Sequence, residues 1–171
     1  MGIELFENKK LCCGCGACEN ICPKGAITMK PDEWGYSYPV VDLSRCVSCS
    51  ACKKVCSYQN GISLCEPIRA YAAVNKTQNQ IEKSASGGVF SAVATYFLKS
   101  GGVVFGAALD FEGGHPKAHL VGIDDVNQLW QLQGSKYVQS AVEQTYKQAK
   151  QNLDAGKDVL FSGTPCQIAG L

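Results

Sequence analysis

The chain has 171 residues, of which 46% are hydrophobic and 18% charged, as is typical of a globular protein with a sizeable core. Sixteen basic and fifteen acidic residues leave a formal net charge of +1, and the absence of a basic run disfavours nucleic acid or an anionic membrane as a partner. The opening "MGIELFENKK" lacks the apolar region of a signal peptide, and no segment is predicted to span a membrane, so we expect a cytoplasmic protein.

Cysteine is the informative residue type. Ten of the eleven cysteines lie before residue 66, and the remaining one is Cys166. In a reducing compartment so many thiols favour metal binding or catalysis over disulfides. The uneven distribution predicts a cysteine-rich domain over residues 1–66 and a second domain over residues 67–171.

The cysteines of the first domain fall into two frames with identical spacing. The first is Cys12-x2-Cys15-x2-Cys18-x3-Cys22, and the second is Cys46-x2-Cys49-x2-Cys52-x3-Cys56, 34 residues later. This internal repeat predicts two similar halves about a pseudo-twofold axis. Structural zinc sites join two separated cysteine pairs, so an unbroken run of four cysteines, repeated, favours iron–sulfur clusters over zinc.

The doubled frame resembles the bacterial-type ferredoxins, which hold two four-iron clusters, over roughly residues 10–60. The resemblance implies an α+β ferredoxin-type domain in which the fourth cysteine of each frame serves the opposite cluster. It thus implies two [4Fe-4S] clusters, the first held by Cys12, Cys15, Cys18 and Cys56 and the second by Cys46, Cys49, Cys52 and Cys22.

The residues around the frames add detail to this expectation. Small residues keep each loop compact so that backbone N–H groups approach the sulfurs, with glycine at positions 14 and 16 and serine at positions 48 and 50. Ser57 stands where the family has proline, which puts the surroundings of the first cluster in doubt. Cys13 and Cys65 lie outside both frames and are interpreted as a bystander thiol and a small buried hydrophobe. Two bound clusters bring the net charge to about −3, which favours partners with a basic docking face.

The second domain alternates predicted strands and helices in chain order. "IRAYAAV" (68–74) predicts a strand, Ser84 or Ser86 caps a helix over 87–99, and two glycines at 101 and 102 end it. Strands are predicted over 103–109, 117–123 and 158–161, and helices from Asp124 or Asp125 towards Trp130 and over 141–155. This order is typical of an α/β domain with parallel strands.

Three loops of this domain combine small residues with residues able to bind an anion or carry chemistry. Residues 84–88 expose N–H groups at a helix start, which is also what a purely structural turn does. Residues 134–137 place Lys136 after a turn, and residues 162–167 follow a buried strand, where α/β folds place ligands. His115 and His119 have no ligand-spaced cysteine or acidic neighbour, and we do not expect them to bind metal.

Three stretches, "SASGGVFSAVATYFLKSGGVVFGAA", "LQGSKYVQS" and "VLFSGTPCQIAGL", resemble the coenzyme F420 hydrogenase/dehydrogenase family of beta subunits. The resemblance covers residues 68–171 and implies an iron–sulfur flavoprotein with FAD. Because family members continue past "GTPCQIAGL", we expect the second domain to be incomplete in this chain. The flavin-binding candidates are Ser86, Gly87, Gly88, Lys136 and Thr164. Cys166 is interpreted as a redox thiol, a ligand of a further cluster or a buried thiol.

Two functions are compatible with these patterns. The first is an oxidoreductase subunit that relays electrons between the clusters and a flavin or deazaflavin-type two-electron carrier. The alternative is a non-catalytic ferredoxin-type carrier subunit that docks a partner dehydrogenase. Either function implies a redox partner protein, such as a dehydrogenase or hydrogenase subunit, and the first adds a deazaflavin or nicotinamide carrier.

Overall fold

The computed structural model describes residues 5–6, 8–61 and 65–171. Its strands are β1 (Ile27–Pro31), β2 (Ser37–Val41), β3 (Val103–Glu112), β4 (His115–Ile123) and β5 (Val159–Phe161). Its helices are α1 (Ala17–Ile21), α2 (Ala51–Lys54), α3 (Ser57–Asn60), α4 (Gln78–Glu82), α5 (Val89–Lys99), α6 (Thr145–Asp154) and α7 (Pro165–Gly170). Short 3-10 helices span Lys9–Leu11 and Val126–Gln131. No helix in these described ranges is long and apolar enough to cross a membrane.

The chain divides into two compact units, and the first is assembled from three separate segments. It comprises Met1–Ser63, Ala141–Tyr146 and Gly163–Leu171, whereas the second comprises Leu64–Ser140 and Lys147–Ser162. Two short segments from far along the sequence therefore belong to the cysteine-rich unit. The predicted domain boundary near residue 66 stays a prediction.

The first unit is built on an antiparallel hairpin. Strands β1 and β2 pair with Ile27 opposite Val41, and the connecting turn is stabilised by the Asp32 carboxylate, which accepts hydrogen bonds from the N–H groups of Trp34 and Tyr36 at 3.0 Å. Helices α1 and α2, one from each cysteine frame, pack together beside this hairpin. Leu5, Ile27 and Cys52 form the buried core.

The second unit is a mixed sheet with strand order β4-β3-β5. Alternating side chains of β3 face opposite sides because successive strand residues point in opposite directions. Val104 and Ala108 pack with Leu98 of α5, while Val103 and Phe105 pack with Ala149 of α6. Both faces of the central strand are thus covered, as its continuous apolar run predicts.

Several predicted elements of the second unit are confirmed and others differ. Strand β5 pairs parallel with β3, as expected, but β4 returns as an antiparallel hairpin through two left-handed glycines, 113 and 114. The predicted helix towards Trp130 is a 3-10 helix capped by Asp125, whose carboxylate accepts from the Asn127 N–H at 2.8 Å. The helix predicted over 141–155 begins at Thr145, and Leu153 on its predicted apolar face is exposed.

The strand predicted over residues 68–74 is wrong for this structure. The segment has no strand partner among the described residues, and Ile68, Tyr71 and Val74 are exposed. β-Branched and aromatic residues favour strands only where a neighbouring strand and a buried face are present. The predicted serine cap of α5 is also wrong, because Gly88 holds the N-cap position with a φ of 74° and Ser84 donates to the Gln80 carbonyl instead.

Candidate metal centre

The two cysteine loops share an unusual backbone conformation. In the first loop Gly14 and Gly16 have φ angles of 66° and 72°, and in the second Ser48 and Ser50 have φ angles of 55° and 62°. These left-handed residues occupy the same two positions of the repeat and turn the chain around the thiols. Helices α1 and α2 begin immediately after the second left-handed residue of each loop. Glycine adopts this conformation without strain, whereas serine does not.

A cavity of about 420 Å³ lies against the first loop. The four cysteines that the resemblance implies for the first cluster all line it, including Cys56 from the second frame. Cys13 and Cys52 line it as well, together with apolar side chains that include Leu5 and Phe6. The fold therefore brings the last cysteine of the second frame to the first loop, as the crossed assignment requires.

A second, smaller cavity of about 20 Å³ lies against the second loop. It is lined by Cys46, Cys49, Cys52 and Cys22, which is the other crossed set. Its apolar walls include Ile27 and Val41 of the hairpin. The fit of this set to a cluster rests on the chemistry of its donors, because four cysteines with the same sequence spacing as the first set line one cavity.

Three of the thiols in these two sets have raised pKa values. Burial, followed by the neighbouring Cys15 and Cys12, raises the pKa of Cys18 to about 12. Burial also raises the pKa of Cys12, with Cys15 and Cys56 adding to the shift, and that of Cys52, with Cys49 and Cys22 adding to it. Thiolates this close together repel one another, so they require a bound cation to deprotonate near neutral pH.

Backbone N–H groups point at several of these sulfurs. The Ala26 N–H donates to the Cys22 sulfur at 3.3 Å, and the N–H groups of Gly14, Glu19 and Lys53 approach the sulfurs of Cys12, Cys18 and Cys52. Such donors stabilise thiolates bound to a cluster. The donor set and the N–H groups together fit iron–sulfur clusters.

The alternatives to iron–sulfur clusters have less support. Within the described ranges no disulfide joins two cysteines, and no three Cys, His, Asp or Glu side chains converge as ligands of a single ion. A zinc site gathers its four ligands around one atom, whereas a [4Fe-4S] cluster presents a separate iron to each thiolate. The two sets of four cysteines that line the cavities supply one thiol for each iron of such a cluster.

Cys13 and Cys166 are neighbours, although 153 positions separate them in the sequence. Burial, together with nearby Cys15 and a hydrogen bond with Cys166, raises the pKa of Cys13 to about 12. The Cys166 sulfur also lies 3.1 Å from the hydroxyl oxygen of Thr164. Spacing along the chain gave no sign of this pair, because the fold alone brings the two thiols together. Cys65, interpreted as buried, is exposed.

The first loop is covered by the two late segments of its own unit. The Tyr146 hydroxyl lies 2.9 Å from the Cys15 carbonyl oxygen and 2.8 Å from that of Gln167, and its single proton is donated to these acceptors. Gly170 lies so close that an added Cβ would sit 2.8 Å from Ala17. Sequence reasoning missed both residues, since neither belongs to a metal-binding motif.

Asn20 ties the other late segment to the same loop. Its side-chain amide donates to the Gly16 carbonyl at 3.1 Å and to the Glu143 carbonyl at 2.7 Å. Val142 packs against Gly16, where an added Cβ would lie 3.0 Å from the valine Cβ. The first cysteine loop is therefore held by residues about 125 positions away, whose importance no local pattern indicates.

The other predicted cofactor-binding residues fall in both units. Thr164 belongs to the first unit and caps α7, where its N–H donates to the Gln167 side chain at 2.9 Å. Ser86, Gly87, Gly88 and Lys136 belong to the second. The Lys136 ammonium donates to the carbonyls of Gln131 and Gln133 at 3.0 and 2.8 Å, and burial lowers its pKa.

The serine–glycine turn of the second unit has a packing role. An added Cβ on Gly87 would lie 2.5 Å from the Ala73 carbonyl oxygen, and the Asn75 N–H donates to the Gly87 carbonyl at 2.7 Å. Glycine is therefore required at position 87 for close approach of the backbone. Its role in binding a phosphate stays a prediction, as do those of Ser86 and Gly88.

Known families match both parts of the chain. Residues 11–60 match the family described as "4Fe-4S dicluster domain". Residues 70–147 match "Coenzyme F420 hydrogenase/dehydrogenase, beta subunit N-term". The first match supports iron–sulfur clusters as cofactors of the cysteine loops.

Two curated relatives extend these matches. The chain is 24% identical to a subunit of the F(420)H(2) dehydrogenase of Methanosarcina mazei over 166 residues, which cover 92% of this chain and 46% of the relative. It is 36% identical to an uncharacterized ferredoxin of Methanocaldococcus jannaschii over 56 residues, which cover 33% of this chain and 71% of the ferredoxin. The chain thus spans about half the length of the dehydrogenase subunit.

Proposed function

Since the chain belongs to the coenzyme F420 hydrogenase/dehydrogenase family of beta subunits and carries a 4Fe-4S dicluster domain, we propose that it is the electron-relay part of an iron–sulfur flavoprotein oxidoreductase. In this proposal the cysteine-rich unit holds two [4Fe-4S] clusters, and the second unit contributes to an FAD site. The physiological two-electron carrier is a deazaflavin or a nicotinamide. A partner dehydrogenase or hydrogenase subunit completes the electron path.

One observation carries the proposal: each cavity is lined by one complete crossed set of four cysteines. When bound, a cluster exchanges one electron at a time, whereas a flavin exchanges one or two. The residues of this chain supply thiolates, N–H donors and an apolar surround. Leu5, Phe6 and Ile27 keep water from the sulfurs, and burial of this kind tunes the reduction potential of a cluster.

For the second unit, the proposal assigns Ser86, Gly87 and Gly88 to the flavin phosphates, because N–H groups at the start of α5 are available to an anion. Lys136 is assigned to holding the preceding 3-10 helix in place beside the flavin. Thr164 belongs to the first unit, where it caps α7, and its contact with a cofactor stays a prediction. The assignments of Ser86, Gly87, Gly88 and Lys136 are supported by the family match over residues 70–147 and by the position of each residue at a loop or helix end.

The ligand sets are tested by single cysteine substitutions in the anaerobically prepared chain. We expect Cys56→Ser to impair the first cluster and Cys22→Ser the second, each measured as lost iron and as a changed electron paramagnetic resonance spectrum. Cys65→Ser is the matched control, since Cys65 is exposed and lies outside both frames. If Cys22→Ser left the second cluster intact, the crossed assignment would be wrong.

The flavin part is tested separately, by denaturing the purified full-length protein and recording the spectrum of what is released. Flavin bands support the oxidoreductase. A cluster-containing protein that releases no flavin contradicts the FAD assignment and favours the non-catalytic carrier. A colourless protein that contains zinc contradicts both functions.

A further inference from the structure

The internal repeat allows the two cysteine loops to be compared position by position. We call residues 11–20 the covered loop and residues 45–54 the open loop. In the covered loop Gly16, Ala17 and Asn20 are buried. At the matching positions of the open loop Ser50 and Ala51 are half-buried and Lys54 is exposed.

Among the cysteines, one pair shows this difference: Cys15 of the covered loop is half-buried, whereas its counterpart Cys49 is exposed. The pair Cys18 and Cys52 differs in the other direction, because Cys52 is buried and Cys18 is half-buried. Two residues before Cys49, Val47 is 57% exposed. The repeat alone predicts equal exposure, so the difference arises from the cover that Tyr146 and Gly170 give to one loop.

The open loop presents apolar surface at its centre. Val47 lines the same cavity as Cys46 and Cys49, and Leu43, three residues before Cys46, is 63% exposed. Exposed apolar side chains beside a redox site are typical of a protein contact. The surface is small, as in the weak and transient interfaces of electron-transfer proteins.

Two basic residues lie beside this apolar surface. Lys24 lines the cavity, and the Arg45 guanidinium donates to the Lys24 carbonyl at 2.9 Å, which places that guanidinium at the rim beside Lys24. Neither forms an ion pair with a carboxylate of the described residues. Asp42 is the neighbouring carboxylate. Its pKa is lowered mainly by hydrogen bonds from Ser44, and the charge of Arg45 contributes less.

We propose that the open loop is the docking surface for an acidic one-electron carrier protein, whose carboxylates face Lys24 and Arg45 while its redox group approaches Cys49. This inference rests on the proposed function. One electron passes in each encounter: the carrier loses it as the cofactor of the open loop gains it, or the reverse. Complementary charge orients such partners and raises their rate of association.

An acidic partner is the opposite of what the net charge of the loaded chain suggests. A loaded chain of net charge about −3 favours a basic partner on average. At an interface, however, charges beyond about 8–10 Å are screened at physiological salt, so the local rim decides which partner docks. The exposed charged side chains at this rim are two cations, Lys24 and Arg45, and one carboxylate, Asp42, so their sum is positive.

The test uses the cluster-loaded full chain and an acidic plant-type [2Fe-2S] ferredoxin as the probe. We expect Lys24→Glu/Arg45→Glu to weaken ferredoxin binding, and to slow electron transfer, by about tenfold or more at low ionic strength, with the difference shrinking as salt is added. Arg45→Lys keeps the charge and should bind nearly as the parent does. Lys83→Glu/Lys99→Glu is the control, because it makes the same change in net charge at two exposed lysines of the second unit.

The outcomes separate this inference from the proposed function. Iron content and the reduced-state resonance spectrum are recorded for every variant. If the clusters load and reduce normally but both double variants weaken ferredoxin binding equally, the docking surface is wrong while the relay stands. A chain without clusters contradicts the relay itself. Tighter binding of basic cytochrome c, salt-sensitive self-association lost in Lys24→Glu/Arg45→Glu, or binding only to anionic vesicles would each overturn the acidic carrier as occupant.

Discussion

At the scale of single residues, the open loop contains strain that the covered loop avoids. Ser48 and Ser50 adopt left-handed φ angles that Gly14 and Gly16 adopt without cost at the matching positions. A left-handed residue other than glycine costs roughly 1–2 kcal/mol, offset in part by the smaller entropy that serine loses on folding. The strain lies beside Cys49, in the loop assigned to docking.

This strain gives the first prediction. We expect Ser50→Gly to stabilise the loaded chain by about 0.5–1 kcal/mol, which raises Tm by roughly 1–4 °C for a chain of this length. Thermal unfolding under anaerobic conditions measures the change. Ser57→Gly, at the start of α3, should instead lower Tm, because helical backbone gains nothing from glycine. A Tm that falls in both variants would show that Ser50 is not strained.

A second residue-scale prediction concerns Lys136. Its ammonium bonds two carbonyls at the end of the 3-10 helix Val126–Gln131. We expect Lys136→Met to destabilise the protein by about 1–3 kcal/mol, since hydrogen bonds from a charged donor are lost and the carbonyls are left unpaired.

Urea unfolding measures the loss, and Lys157→Met is the control at an exposed lysine. The flavin content of the folded variant separates the two roles of Lys136. If flavin is retained while stability falls, the residue acts through the helix it holds. If flavin is lost with no change in stability, Lys136 contacts the cofactor directly.

At the scale of elements, the hydroxyl of Tyr146 joins α7 to the covered loop. It is the shared donor to the carbonyls of Cys15 and Gln167. We expect Tyr146→Phe to lower the free energy of unfolding by about 1–2 kcal/mol, because a buried carbonyl loses its partner.

Amide hydrogen exchange should show which segments the Tyr146→Phe substitution destabilises. Amides of α7 and of the covered loop should exchange faster in Tyr146→Phe, while those of the open loop should not change. Tyr96→Phe is the matched control, since Tyr96 is 73% exposed. Equal acceleration in both loops would contradict a role confined to the covered loop.

Helices and strands were predicted correctly from the sequence where neighbouring residues alone determine them. The apolar run of β3, the glycine stop after α5 and the Asp125 cap are each encoded by adjacent residues. The strand predicted over residues 68–74 failed because a strand needs a partner that propensity does not specify. The predicted cap of α5 is wrong because the Ser84 hydroxyl donates to the Gln80 carbonyl and Gly88 holds the N-cap position.

At the scale of the whole molecule, the cysteine-rich unit is discontinuous in sequence. Segments Ala141–Tyr146 and Gly163–Leu171 complete it and cover one of its two loops. The pseudo-symmetry of the repeat is thereby broken, because these segments cover one loop and not the other. In the proposed electron relay, this asymmetry would give external carriers one exposed loop at which to dock.

The last prediction concerns helix α7, which covers the first cysteine loop. We expect Gly170→Val to push α7 away from Ala17, since an added Cβ would already lie 2.8 Å from that side chain. A chelator should then remove iron in two phases, with the faster phase belonging to the first cluster, and Cys12→Ser should abolish that phase. Ile168→Val, at an exposed position of the same helix, should release iron as the parent does. A single slow phase in Gly170→Val would show that the cover does not protect the cluster.

Sequence by itself determined the chemistry of this protein. Metal ligation depends on residue type and short-range spacing, so the doubled frame beginning at Cys12 and Cys46 indicated iron–sulfur clusters, and three further motifs indicated the family. Only the tertiary structure decided which of the two loops is covered. It also brought Cys13 beside Cys166 and placed the Tyr146 hydroxyl against the Cys15 carbonyl. These contacts join residues more than 120 positions apart. Packing and burial are properties of the folded chain, and no local pattern records which distant segments will meet.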